Sequence, residues 1–267
     1  MTARIDLRGS RALITGATGG LGQAIARRLS KEGAKLVLSG RRLDVLEPLA
    51  KELGATVITA DLEDLADVDR LMAEAGPIDV LVANAALSSS GDLFEYTPEQ
   101  IARSITVNLH AQIVMARTAA LGMVERGQGQ IVMIGSVSGK IASTNSSLYN
   151  ATKFGLRGFS LGFRQDMASR GVGVSIVEPS FVREAGMFAN SKAKLPSTVR
   201  TVTPEDVADG VVKAIRRDRA EVVIAPAELR VGAALTASLP EFNAAVQKAS
   251  GGAKVSDALA EGQRDNR

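Results

Sequence analysis

The sequence predicts an α/β fold: a single domain on a doubly wound, parallel, seven-stranded sheet with helices on both faces. Three observations carry this. Short runs rich in Val and Ile alternate with segments of ten or more residues whose apolar positions recur at helical spacing. Strands of that kind are buried on both faces, which calls for crossover helices above and below the sheet. The 267 residues suffice for one such core, and neither an internal repeat nor a linker rich in Pro, Gly or Ser divides them.

Residues 11–15 read as the first buried strand. Residues 20–32 follow as a helix, with Leu21, Ala24, Ile25 and Leu29 on one stripe and Gly33 placed to end it. A strand at 35–39, a helix at 43–53, a strand at 56–59, a helix at 64–75 and a strand at 78–82 complete the first half. A long helix begins at Thr97-Pro98-Glu99, where Thr97 can cap and Pro98 suits the first turn. Then come a strand at 130–134, a second long helix at 147–169, and a strand at 174–177 that Pro179 ends. Thr203-Pro204-Glu205 repeats the helix start and runs to about residue 217, before the last strand at 221–225. Residues 183–198 are expected to be a substrate loop, mobile without ligand. Gly186, Asn190, Ser191 and Pro196 favour loop there, while Met187, Phe188 and Leu195 favour burial. The polar tail at 248–267 is expected to fray or to pack on a neighbouring subunit.

Composition narrows the chemistry. The formal charge is only +3 and the basic residues are scattered, so no nucleic-acid arm is present. Aromatic residues are 3% with no Trp, which leaves no base-stacking platform. The chain has no Cys, which removes disulfides, thiol nucleophiles and thiolate metal sites. His110 is the only His, so multi-His metal sites and most Ser-His triads are excluded, and His110 reads as a helix residue near a subunit contact. Met1 to Arg8 alternates charged and apolar residues, unlike a secretory leader, and no apolar run approaches a membrane span. A soluble, cytoplasmic protein without metal is expected, and its redox chemistry must come from a bound cofactor.

The first strand runs into Thr15-Gly16-Ala17-Thr18-Gly19-Gly20-Leu21-Gly22, which opens a helix. Glycines let the backbone turn tightly and approach a pyrophosphate, and a helix N-terminus favours phosphate. Gly16, Thr18, Gly19, Gly20, Leu21 and Gly22 are therefore candidate dinucleotide contacts in a Rossmann-type fold. Their spacing follows TGxxxGxG, not GxGxxG. The second strand ends in Gly40-Arg41-Arg42 with no acid for a ribose 2′-hydroxyl. Two guanidinium groups suit a 2′-phosphate, which favours NADP(H) over NAD(H). Arg42 can equally be a solvated first-turn residue. Asp61 can accept from the adenine amino group or cap the helix that follows.

Tyr149 and Lys153 stand four apart in the second long helix, hence on one face. A free tyrosine, with a pKa of ~10, is a poor acid or base at neutral pH. A neighbouring ammonium stabilises the phenolate and lowers that value. Ser136 follows the fifth strand, at the same sheet edge. Such a trio suits hydride transfer to a carbonyl: the phenol supplies the proton and the serine hydroxyl bonds the carbonyl oxygen.

With these motifs in this order, the chain resembles the short-chain dehydrogenase/reductase family over about residues 8–226. Gly16, Gly20 and Gly22 match its cofactor turn, Tyr149 and Lys153 its YxxxK pair, and Ser136 stands at the usual thirteen residues before Tyr149. Asn108 matches the family's asparagine, which kinks a helix and orders a water leading to the lysine; Asp61-Leu62 matches its adenine contact. The resemblance implies a catalytic set of Asn108, Ser136, Tyr149 and Lys153, with the lysine also holding the nicotinamide ribose, and a homodimer or homotetramer. Two motifs depart. NNAG becomes Ala83-Asn84-Ala85-Ala86, in which Asn84 and Ala85 remain cofactor candidates. PG becomes Pro179-Ser180, and Glu184 stands for the usual threonine, while Val182 keeps the register to contact the nicotinamide amide through its backbone.

The expected activity is NADP-dependent hydride transfer between nicotinamide and a carbonyl or secondary alcohol. The competing readings are a non-catalytic NADP-binding redox sensor and a lyase or dehalogenase on the same scaffold; the intact Tyr-Lys-Ser-Asn set argues against the first, Lys153 and the glycine turn against the second. Leu87, Leu93, Phe94, Met187, Phe188 and Leu195 favour a hydrophobic small-molecule substrate of 3-oxoacyl, steroid or aromatic ketone type. Ala116, Ala119, Ala120, Gly155, Leu156, Phe159 and Phe163 on the two long helices exceed what one sheet face can bury, so some are expected at a subunit interface.

Overall fold

A computed structural model describes residues 5–191, 200–230 and 252–263. The strands are β1 (Arg11–Ile14), β2 (Lys35–Gly40), β3 (Thr56–Thr59), β4 (Val80–Ala83), β5 (Gly129–Ile134), β6 (Val172–Pro179) and β7 (Glu221–Ile224). They form one sheet in the order β3-β2-β1-β4-β5-β6-β7, every neighbouring pair parallel. The helices are α1 (Gly20–Lys31), α2 (Leu43–Leu53), α3 (Leu65–Ala75), α4 (Pro98–Ile105), α5 (Ala111–Glu125), α6 (Ser147–Met167), α7 (Gly186–Ser191), α8 (Pro204–Arg217) and α9 (Gly252–Gly262).

The strands alternate with period two between two cores. Ile14, Val82, Ile134 and Val177 pack with Ile25, Leu29, Leu46, Val207 and Val211 of α1, α2 and α8. Leu13, Leu81, Met133 and Ile176 pack with Val68, Leu71, Met115, Met123 and Leu156 of α3, α5 and α6. A fully buried aliphatic side chain contributes roughly 1.5–3 kcal/mol relative to exposure, so both faces are driven shut. The chain order reverses between β1 and β4, and the carboxyl ends of all strands lie on one edge.

The helix starts follow the sequence. Thr97 and Gln100 form a reciprocal capping box on α4, and Thr203 and Asp206 form another on α8. At the end of α1, Gly33 takes φ 86° and its N–H returns to the Ser30 carbonyl at 2.8 Å, while Ala34 N–H reaches Leu29 O at 3.2 Å.

Three expectations change. The helix begun at Thr97 is not continuous: a π-turn at Thr106–His110 separates α4 from α5. The extra residue there turns Asn108 toward the segment after β4. Asn108 Oδ1 accepts from Leu87 N–H at 2.6 Å and Nδ2 donates to Leu87 O at 3.0 Å. Within the expected loop, residues 186–191 form α7, because Phe188 has a partner in the Phe181 ring, 5.3 Å away. Residues 192–198, with Leu195 and Pro196, lie outside the described residues. The tail expected to fray or to pack on a neighbour instead carries α9, docked on α7 of the same chain; residues 248–251 and 264–267 lie outside the described residues. Of the seven residues among which some are expected at an interface, Ala116, Ala119, Ala120 and Leu156 are buried in this chain's own core, and Phe159 and Phe163 are partly buried against it. Among the described residues no helix is long and apolar enough to cross a membrane.

Candidate active site

The glycine turn is built for close backbone approach. A Cβ on Gly22 would lie 2.3 Å from the Gly16 carbonyl oxygen, and one on Gly16, whose φ is 66°, would lie 2.8 Å from Ala85 Cα. Gly19 is the N-cap of α1 and makes no side-chain cap bond, so the first-turn N–H groups are not taken by a cap. Asn84 fastens the turn to β4: its Nδ2 donates to Thr15 O at 3.0 Å and to Gly16 O at 3.2 Å. Ala85 N–H donates to Thr15 Oγ1 at 3.3 Å. Thr18 packs against Gly40, where a Cβ would meet its methyl at 2.8 Å. This side-chain-free cradle, the open helix end and the adjoining basic residues fit a dinucleotide phosphate.

Arg41 and Arg42 stand beside that cradle, both exposed. Arg42 Nη2 donates to Thr18 O at 2.9 Å. Arg41 Nη1 lies 3.4 Å from Glu63 Oε1 and 3.8 Å from Asp61 Oδ2. Sequence reasoning missed Glu63, which also pairs with Arg103. Asp61 does not cap α3; Asp64 does, accepting from Ala66 N–H at 2.9 Å, while Asp61 Oδ1 accepts from Glu63 N–H at 3.1 Å. A pocket of about 270 Å³ opens here, lined by Arg41, Thr59, Ala60, Asp61 and Asp67. Leu62 is buried in the core, so only its backbone is available to a ligand.

Ser136 follows β5 and Tyr149 opens α6, and the fold brings the Ser136 hydroxyl close enough to the phenol to act on its proton. Burial pushes the Tyr149 phenol up and the neighbouring Ser136 hydroxyl pulls it down, burial prevailing. The fall expected from a neighbouring ammonium is therefore not what the free protein produces. Lys153 Nζ is 5.7 Å from the Tyr149 ring centroid and donates to Ile134 O at 3.0 Å. Desolvation lowers the Lys153 ammonium to about 8. Asn108 lies on the neighbouring π-turn, where Leu109 packs on Gly155 of α6, and its amide is held by Leu87 and by Ser89 Oγ at 3.2 Å.

Beyond β6, Val182 forms an isolated parallel bridge with Val202 that bonds through Phe181 and Arg183. Its own N–H and C=O thus face away from Val202. Pro179 is the last residue of β6, and Ser180 Oγ is buried without a partner. Glu184 adopts φ 69°, a left-handed conformation uncommon for a non-glycine residue, at the point where the chain leaves the sheet for α7.

A family profile described as short chain dehydrogenase matches residues 10–196. The chain belongs to the short-chain dehydrogenase/reductase family. Ketoacyl reductase HetN of Nostoc sp. is 34% identical over 227 residues, spanning 82% of this chain and 79% of that protein. The NADP-dependent 3-hydroxy acid dehydrogenase YdfG of Salmonella typhi is 36% identical over 213 residues, 74% of this chain and 86% of that one. Among solved structures, a short-chain dehydrogenase from Sphingobium yanoikuyae in complex with NADPH superposes with a TM-score of 0.73 at 29% identity, covering 80% of this chain and 87% of the other. An actinorhodin polyketide ketoreductase variant with NADPH gives 0.74 at 31% identity, covering 84% and 98%.

This short-chain dehydrogenase also carries a buried charge cluster that the sequence did not announce. Glu178, the penultimate residue of β6, is fully buried. Lys140 Nζ lies 3.2 Å from Glu178 Oε2 and 2.6 Å from Glu221 Oε2. Arg157 Nε lies 3.6 Å from Glu178 Oε1 and 2.7 Å from Glu221 Oε1. The four residues tie the turn after Ser136 and the helix of Tyr149 and Lys153 to β6 and β7. Both cations sit closer to Glu221, which holds its carboxyl low, whereas burial and the Glu221 charge push Glu178 up to about 8.

Glu178 therefore keeps a proton in the folded state that it loses near 4.5 when unfolded. That contribution to stability is fully present below the unfolded value and is lost as pH rises through about 8. The melting temperature of wild-type protein should fall more steeply between these limits than that of Glu178→Gln, whose neutral amide copies the protonated acid; parallel slopes in calorimetry would contradict the assignment.

Proposed function

We propose that this chain is an NADP(H)-dependent oxidoreductase acting between nicotinamide and a carbonyl or secondary alcohol of a hydrophobic small molecule. The observation that carries the reading is the Ser136–Tyr149–Lys153 grouping at the sheet edge that also bears the glycine turn. A bound nicotinamide dinucleotide supplies or accepts the hydride. Tyr149, its phenol raised by burial, is protonated at neutral pH and can give that proton to a carbonyl oxygen. Ser136 donates a hydrogen bond to the same oxygen. Lys153 spends one bond on Ile134 O, leaving donors for the ribose hydroxyls, and its charge eases proton loss from Tyr149. Asn108 positions the segment after β4.

Gly16, Thr18, Gly19, Gly20, Leu21 and Gly22 would hold the pyrophosphate, Asp61 and the Leu62 backbone the adenine, and Asn84, Ala85, Pro179 and Val182 the nicotinamide side. Arg41 and Arg42 would bind the 2′-phosphate, Arg41 exchanging Glu63 for it. The NADP-dependent relative and the NADPH-bound structural neighbours support that preference. The ketoacyl reductase and 3-hydroxy acid dehydrogenase names favour a 3-oxoacyl type of substrate. We read the chain as one cytoplasmic domain with a substrate segment at about 183–198, assembled as a homodimer or homotetramer. Leu121 and Phe154 are 56% and 43% exposed, and Phe154, Gly158 and Gly162 give α6 an open face that another helix could approach.

Tyr149→Phe should lower kcat by ~10²–10⁴-fold with NADPH affinity retained; near-full turnover of a reducible ketone would refute the mechanism. Arg41→Ala removes a charge-assisted bond of ~1.5–3 kcal/mol. NADPH affinity should thus fall ~10–150-fold with NADH affinity little changed, measured by fluorescence titration. Light scattering at micromolar concentration should give a multiple of the 27.9 kDa chain mass, and a strictly monomeric mass would exclude the assembly.

A further inference from the structure

The carboxyl edge of the sheet around Tyr149 is bordered by three segments. Residues 87–91 follow β4 and are held by Asn108; residue 145 precedes Tyr149 by four; α7 follows Val182 and Glu184. The helix α9 touches all three. Gln263, just past its end and buried, donates from Nε2 to Met187 O at 3.1 Å, while its Oε1 accepts from the hydroxyl of Ser88. One carboxamide thus joins α7 to the segment that Asn108 holds. Asp257 Oδ1 accepts from Asn145 Nδ2 at 2.7 Å, and Asn145, at φ 50°, also receives Gly91 N–H on its carbonyl at 2.7 Å. Gly262 lies so close to α7 that a Cβ would fall 2.0 Å from Ser191 O. None of α9 lies within residues 10–196, the part that matches the family profile.

We propose that α9 is a specificity-determining wall of the substrate site and that Gln263 is the positioning residue that latches it. The proposal rests on the oxidoreductase reading. A helix fastened to both flanks and to the loop before Tyr149 spans the mouth above the phenol, so a carbonyl compound bound there is bounded by α9 on the side away from the sheet. Loss of the Gln263 amide leaves the buried Ser88 hydroxyl and the Met187 carbonyl without it and frees α7 from residues 87–91. The reacting groups lie elsewhere, just after β5 and on α6. The latch should therefore act on substrate capture and leave the chemical step and the cofactor turn as they are.

The test compares wild type, Gln263→Ala and Asp257→Ala, which cut two separate attachments of α9. Each is assayed with NADPH and a series of 3-oxoacyl esters of increasing chain length, and amide exchange is followed in the cofactor-free protein. Gln263→Ala should raise KM about tenfold, as expected for a lost buried hydrogen bond, and Asp257→Ala, which cuts an exposed bond, should raise it in the same direction by less, with kcat and NADPH affinity little changed in both. They should also narrow the preference between short and long esters and speed exchange at 87–91 and 186–191. An active wild type whose KM and exchange are unmoved in both variants would overturn the wall alone. A joint loss of kcat, NADPH affinity and melting temperature would also overturn it, by showing a general structural role. Wild type that reduces no carbonyl would overturn the oxidoreductase reading and this proposal with it.

Discussion

A parallel sheet has no face to spare for water. Every strand of this one must be reached by a crossover and covered on both sides, and that requirement puts all seven carboxyl ends on one edge. The candidate site is a consequence. Gly16 follows β1, Arg41 follows β2, Asp61 follows β3, Asn84 follows β4, Ser136 follows β5 and Val182 follows β6, so residues far apart in sequence share a single rim. Where the strand order reverses, β1 and β4 are neighbours yet their chains depart to opposite faces. The Asn84 amide bridges that parting by bonding the Thr15 and Gly16 carbonyls.

Burial then sets the charge states along the rim. It raises the Tyr149 phenol, lowers the Lys153 ammonium to about 8 and raises Glu178 to about 8. All three shifts favour the neutral form, as a low-dielectric surrounding dictates. Tyr149 is thus held protonated, and Lys153, lowered only to about 8, still carries its proton at neutral pH, both without help from the charge cluster. That cluster instead fixes the two elements that carry the catalytic candidates. Lys140 and Arg157 emerge from the turn after Ser136 and from α6, and both close on the carboxyl groups of Glu178 in β6 and Glu221 in β7.

Local chemistry that repeats was legible in the sequence. Threonine followed by proline marked both capping-box helices, and the Gly33 stop, the glycine turn and the i,i+4 pair of Tyr149 and Lys153 each depend on residues close together in the chain. What escaped depends on distance or on register. Glu178 reads as one acid at the end of a Val/Ile run, and only the pairing of β6 with β7 brings Glu221 beside it. Gln263 meets Ser88 from 175 positions away. The π-turn is invisible to a periodicity argument, since it leaves apolar residues on both sides and alters only the phase between them. The basic pair at the end of β2 was found, but Glu63, which engages Arg41, was not, because it lies on a different strand's loop.

That change of phase bears on how the chain tolerates alteration of length. Each residue of an α-helix advances the azimuth by about 100°. The wider winding of Thr106–His110 absorbs about one residue's worth of that rotation. Deleting one residue there would restore a regular helix through the junction and leave the azimuth of α5 relative to α4 nearly as it is. Met115, Ala119 and Met123 would stay against the sheet, while Asn108 would lose its aim at Leu87. The π-turn is therefore a place where the core tolerates a shorter chain and the rim does not: it turns one side chain out of the helical path, and its loss would release residues 87–91 and leave the packing of α5 in register.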